Sequence, residues 1–128
     1  MQIIGHGIDM VDLSGIRRLL DEGLLSHWAP TLNSNEIADS GQSTETGYVE
    51  KLAGQFALMQ AICKACGGSP DQEIDWSEIH VKKQATGQPC IELSGRLACH
   101  CQSLGITDWV VSIAHTPTCA VGTAIAMA

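Results

Sequence analysis

A handful of side chains in this sequence are of types that could do chemistry. Asp9 closes the apolar run of IIGHGIDMVD, where a carboxylate serves either a reaction or the cap of a following helix. His115, in SIAHT, suits a functional imidazole and a strand-end histidine held by a hydrogen bond equally well. Lys64 stands near the end of a long helical pattern, and the helix macrodipole alone would favour a cation there. Cys63-x-x-Cys66 and Cys99-His100-Cys101 offer thiols and an imidazole, the donor types of a tetrahedral zinc site. Both cysteine groups fall on helical patterns, and Cys63 and Cys66 close their helix, whereas redox CxxC pairs usually open one. Small buried residues are the better reading of these cysteines.

The elements that must position these groups follow from periodicity. Ile3 to Val11 is apolar with Gly5 and Gly7 inserted, the pattern of a strand whose backbone closely approaches a neighbour. Leu13, Ile16, Leu19 and Leu20 recur at helical spacing, with Asp12 or Ser14 as N-cap and Gly23 as a stop. Residues 29–46 mix Pro30, Asn33, Ser34 and Gly41 and predict a mobile loop with a helical turn from Asn35 to Asp39.

Gly47 to Cys66 carries the strongest helical pattern, with Tyr48, Leu52, Phe56, Met59 and Cys63 on one stripe and Gly67-Gly68 as its stop. Ile79 and Val81 alternate with His80 and Lys82, and the turn Thr86-Gly87-Gln88-Pro89 returns the chain through Cys90 to Leu93, which predicts a hairpin. Ser94 to Ser103 reads as a helix ended by Gly105, and Trp109 to Ala114 and Cys119 to Ala126 as strands joined around Thr116-Pro117. Helices and strands segregate, so the class is α+β, a mainly antiparallel sheet packed on a long central helix.

A chain of 128 residues suits one domain, 1–128, with a modest core. A site between subunits is compatible with that size. Seven Lys plus Arg against fourteen Asp plus Glu leave a net charge of −7, which argues against a general nucleic-acid face. No stretch of about 18 apolar residues appears, and the start lacks a basic n-region and a long apolar run. A cytoplasmic protein is expected, off the membrane, with its six cysteines as free thiols.

Order and spacing add a resemblance. IIGHGIDMVDLSGI resembles the opening I-x-G-x-G-x-D-[IV]-x-[DE]-[IL]-x-[RK]-I of holo-acyl-carrier-protein synthases, with Gly5, Gly7, Asp9, Asp12, Leu13 and Ile16 in register. Leu32 to Ile37 is similar to that family's [LF]-T-x-x-E-[LI] segment. LAGQFALMQAICKACG resembles its L-A-x-R-F-A-A-K-E-A-[FI]-x-K-A-[LF]-G helix, through Leu52, Ala53, Phe56, Ala57, Ala61, Ile62, Lys64, Ala65 and Gly67. The similarity continues through Gly87, Pro89 and Leu93-Ser94-Gly95 to VVSIAHTPTCAVGTAIA, and so covers nearly the whole chain.

The resemblance implies the 4′-phosphopantetheinyl transferase fold, a homotrimer with sites at subunit boundaries, and Mg²⁺ bridging enzyme carboxylates and the CoA pyrophosphate. It implies transfer of 4′-phosphopantetheine from CoA to a serine of apo-acyl carrier protein, in which positioning and charge neutralisation carry the catalysis. By the same resemblance Asp9 and Gln60 occupy the metal-ligand positions. Lys64, Gly67, Gly87, Pro89, His115 and Thr116 occupy CoA-contacting ones, and Asp9, Gln60 and Lys64 form the catalytic set.

Several charges of the pattern are replaced. Gln55, Met59 and Gln60 stand where the family helix has Arg, Lys and Glu; Gln88 replaces the basic residue of a Gly-basic-Pro turn, and Gly15 another. The alternatives are therefore a slow or specialised transferase, and a weak or inactive paralogue that binds CoA or a carrier. Arg17-Arg18, the one adjacent arginine pair, is the expected docking point for an acidic carrier.

Overall fold

The computed structural model describes residues 1–23, 45–67 and 75–128. The expected loop and helical turn, and the Leu32 to Ile37 segment, lie outside the described residues, as does Gly68. The described elements in chain order are β1 (Ile3–Asp12), α1 (Leu13–Asp21), α2 (Glu45–Ala65), a 3-10 turn (Trp76–Glu78), β2 (Ile79–Lys83), β3 (Pro89–Leu93), α3 (Gly95–Ser103), β4 (Asp108–His115) and β5 (Cys119–Met127). All pairings are antiparallel, but the strands form two sheets: a three-stranded one in the order β1-β5-β4, and the hairpin β2-β3. Pro89 begins a strand instead of ending the turn, paired with Lys83.

Helix α2 lies across the three-stranded sheet at a distance set by small residues. Ala120, Gly122, Ala124 and Ala126 of β5 face it and are buried, against Ala53, Ala57, Ala61 and Ala65 of the helix, which are buried as well. At Gly5 and Gly7 the backbones of strand and helix touch: a Cβ on Gly5 would overlap the Ala65 carbonyl oxygen, and one on Gly7 the Ala61 carbonyl oxygen. Here the sequence signal of glycines inside a strand has its physical cause.

The single apolar stripe expected on α2 is corrected. Val49, Ala53, Gly54, Gln55, Ala57, Leu58, Ala61, Ile62 and Ala65 are buried in addition to Leu52, Met59 and Cys63. The helix is enclosed on most of its circumference, as expected of a central element touched by β1, β4, β5, α1 and β2. One core cluster joins its C-terminal half to Ile79, Cys101 and Ile106; the other joins Val49 and Leu52 to Leu13 and Ile16 of α1.

The opposite face of the sheet has no cover within the described residues. Ile8, Met10 and Val110 project from it at 53%, 66% and 51% exposure, beside half-buried Val121 and Ile125. Large apolar patches of this kind mark association surfaces.

Candidate functional site

Strand alternation aims Asp9 at α2, since it follows Gly5 and Gly7 on the helix-facing row. Gly5 lies against Ala65 and Gly7 against Ala61, so strand and helix run in opposite directions and Asp9 comes level with the turn before Ala61. That turn carries Gln60, which is half-buried and shares a helix face with Lys64 one turn on. Lys64 Nζ is 3.0 Å from Asp9 Oδ1 and donates a second 3.0 Å hydrogen bond to the Ile8 carbonyl.

These contacts correct the modest readings of both residues. Asp9 is inside β1 and caps nothing; Asp12 holds the N-cap position of α1 and makes no side-chain cap bond. Lys64 is more than a favourable charge at a helix end, for its ammonium joins α2 to β1. Gly67 follows the helix at φ +68°, exposed at the same end, a conformation suited to glycine.

The fit of this group to Mg²⁺ can be tested on Asp9 itself. Its Oδ2 is buried and has no hydrogen-bond partner among the described residues, and a buried carboxylate oxygen left alone is costly unless something else satisfies it. Mg²⁺ is commonly held by one or two carboxylates together with substrate phosphates and water. One orphaned carboxylate oxygen fits that mode of binding, in which phosphate supplies much of the ligand charge.

A second group assembles elsewhere in the chain. Gly87, Pro89 and His115 line a cleft of about 620 Å³ between the N-terminal part of α2, the β2-β3 hairpin and the end of β4. Glu50, Lys51, Gln55, Lys82 and Lys83 line it too. His115 Nδ1 is 3.6 Å from Glu50 Oε2. Asp9, Gln60, Lys64 and Gly67 are not among its lining residues, so one chain presents the expected site residues as two separate groups. Thr116 lies in neither; its Oγ1 accepts from the Cys119 amide at 3.1 Å and the Thr118 amide at 3.3 Å, closing the β4-β5 turn.

The substituted positions do not gather in one place either. Met59 is 3% exposed, inside the core. Gln55 is at the cleft, Gln88 lines a different groove between β3 and β4, and Gly15 sits on α1 with no atom within 4 Å of where a Cβ would stand. Lys51, Lys82, Lys83 and Glu50 were not foreseen from the sequence as site residues. Lys83 was legible, as the next member of the Ile79, Val81 row; the placement of Lys51 and Glu50 needed the tertiary fold.

The expectation of small buried cysteines holds for Cys63, Cys66 and Cys101 and is corrected for Cys99, which is exposed on α3. Cys66 Sγ and Cys101 Sγ are 3.1 Å apart and buried, and burial pushes the Cys63 thiol up to about 11, with Cys101 nearby adding to it. Burial raises Cys66 and Cys101 as well. Zinc needs thiolates, and among the described residues no group of three His, Cys, Asp or Glu is placed to hold a metal ion. His100 instead points a ring nitrogen at the Cys66 carbonyl, 3.1 Å away. Among the described residues no helix is long and apolar enough to cross a membrane.

Against known proteins, residues 5–114 match the family model of the 4′-phosphopantetheinyl transferase superfamily. A holo-[acyl-carrier-protein] synthase of Bacillus cereus is 33% identical over 98 residues, covering 77% of this chain and 82% of the relative. One from Ruminiclostridium cellulolyticum is 29% identical over 119 residues, covering 93% and 88%. Among solved structures, the Neisseria meningitidis holo-[acyl-carrier-protein] synthase superposes with a TM-score of 0.81 at 24% identity, covering 99% of this chain and 100% of that one. The Bacillus anthracis synthase in complex with CoA (3′,5′-ADP) superposes at 0.75 with 25% identity, covering 98% and 97%.

Proposed function

The chain belongs to the 4′-phosphopantetheinyl transferase superfamily, and from that premise we propose that it is a holo-acyl-carrier-protein synthase. It transfers 4′-phosphopantetheine from CoA to a serine hydroxyl of apo-acyl carrier protein and releases adenosine 3′,5′-bisphosphate. The observation that carries this reading is Asp9, with one oxygen on Lys64 and the other buried and without a partner among the described residues. The single domain spans 1–128, and six free thiols accord with a reducing cytoplasmic setting.

In the reaction the serine oxygen forms a bond to the pantetheine-side phosphorus as the bond to the leaving bisphosphate breaks, and the serine proton passes to water. Asp9 would hold Mg²⁺ together with the phosphates, and the ion would supply charge neutralisation on the pyrophosphate. Lys64 holds the Asp9 carboxylate in place and offers a cation beside the phosphates. Gly67 leaves room for close approach of the ligand to the backbone. Gln60 can offer its amide oxygen but cannot accept the serine proton.

Incubation with CoA, Mg²⁺ and an apo-carrier is expected to add the mass of one phosphopantetheine to the carrier. The neutral Gln60 favours a second reading, a CoA-binding paralogue with little turnover. Bound CoA with no mass change would establish that reading instead. Gln60→Glu restores a second carboxylate and a base, and is expected to tighten Mg²⁺ and speed transfer about 10-fold or more, toward the roughly 10²- to 10⁴-fold range of general-base effects. Unchanged metal affinity and rate would remove Gln60 from the site.

Two features support a homotrimer with sites across its boundaries: the bare apolar sheet face at Ile8, Met10 and Val110, and the two separate groups of site residues. In this arrangement the Asp9 group of one chain meets the His115 group of another. Light scattering is expected to give three times the monomer mass at micromolar concentration; a stable monomer would overturn the assembly. Arg17 and Arg18, exposed on α1, are the proposed contact for the acidic carrier.

A further inference from the structure

The geometry points to Lys83 as the cation that seats a phosphate group of the nucleotide half of CoA in the His115 cleft, which rests on the transferase reading just given. The chain has only seven Lys plus Arg at a net charge of −7, yet Lys51, Lys82 and Lys83 all line this one cleft. Such concentration of scarce positive charge in a concave site favours an anionic ligand.

The strand pattern of β2 separates Lys82 from Lys83. Ile79, Val81 and Lys83 form one row, and Ile79 is buried in the core while Val81 lines the cleft. Lys83 continues that row beyond the apolar part, opposite Pro89 in the hairpin register, so its stem follows the cleft wall. Lys82 is on the other row, and its ammonium is 2.8 Å from Glu92 Oε2. That hydrogen bond holds the Glu92 carboxyl below the usual carboxylate range. Lys64 is engaged by Asp9.

The Lys83 side chain makes no hydrogen bond or ion pair with the described residues. A phosphate entering the cleft therefore meets an ammonium without displacing a carboxylate from it. The position before Pro89 is the neutral Gln88, whose side is turned to the groove with Trp109 and Ser112. Lys83, across the hairpin from Pro89, thus supplies from β2 a charge that the turn itself does not carry.

Calorimetric titration with CoA and with inorganic pyrophosphate tests this on the full chain, in the wild type, Lys83→Gln, Lys83→Arg and Arg96→Gln. Arg96 is exposed on α3 and away from the cleft lining, so Arg96→Gln matches the change in net charge. Loss of one charge-assisted phosphate contact is expected to weaken CoA about 10-fold in Lys83→Gln, with Lys83→Arg near the wild type and Arg96→Gln little changed. CoA binding to Lys83→Gln as tight as to Arg96→Gln would overturn the assignment and leave the transferase reading standing. Pyrophosphate binding that depends on Lys83, without any CoA binding, would keep the phosphate seat and overturn the transferase reading. A wild type that binds neither probe overturns both.

Discussion

Asp9→Ala is expected to lower the rate of carrier modification by about 10²- to 10³-fold, the size of effect seen when one preorganised electrostatic group is removed from a site. The fold should survive. Asp9 is tied to a Lys64 side chain that is 56% exposed, so water solvates the ammonium left behind, and the exchange removes a buried carboxylate oxygen that has no partner among the described residues. Asp9→Asn keeps the shape and removes only the charge, and should fall nearly as far. Timed mass spectrometry of the carrier gives the rate, and thermal melting of each variant checks the fold. A rate within tenfold of the wild type, in a folded protein, would remove Asp9 from the reaction.

Gly7→Ala is expected to cost about 3 kcal/mol or more of stability, at the upper end of overpacking effects. The new methyl would overlap the Ala61 carbonyl oxygen and stand 2.8 Å from its carbon and 2.9 Å from the Ala65 nitrogen. These are backbone atoms of a buried helix, so neither side can yield by a rotamer change. Gly15→Ala makes the contrast. Gly15 is inside α1 with open space around it, and the same substitution should stabilise by about 0.5–1 kcal/mol through helix propensity. Denaturant melts of the two variants should move in opposite directions. A Gly7→Ala midpoint equal to that of the wild type would mean that strand and helix are further apart than described.

The elements were legible because their patterns are local. Ile79 and Val81 alternate, Gly105 at φ +82° ends α3, and the glycines of β1 announce a close neighbour. The single stripe understated the burial of α2 because Val49, Leu58 and Ile62 lie off it and because alanines and a glycine look neutral in a hydrophobic pattern. They reveal their burial only when β5 presents Ala120, Gly122, Ala124 and Ala126 to them.

The site was legible only in part. Asp9, Gln60 and Lys64 could be placed through strand parity and the helical i, i+4 relation. No local pattern foretold that Met59 is core, that Gln55 and Gln88 face different hollows, or that the Glu50 carboxylate stands beside His115. Those depend on which faces of α2 and the hairpin the tertiary fold turns together.

The pairing of β1 with β5 has a consequence during biosynthesis. Strand β1 finds its hydrogen-bond partner in the distant β5, so while the polypeptide is emerging β1 has neither its neighbour nor the helix that its glycines fit. Contacts of such long sequence separation form late and slowly, and an unpaired apolar strand is exposed to other nascent chains meanwhile. Maturation of β1 should therefore wait for synthesis of β5, and a ribosome stalled before Cys119 should hold a chain sensitive to protease along the whole of β1.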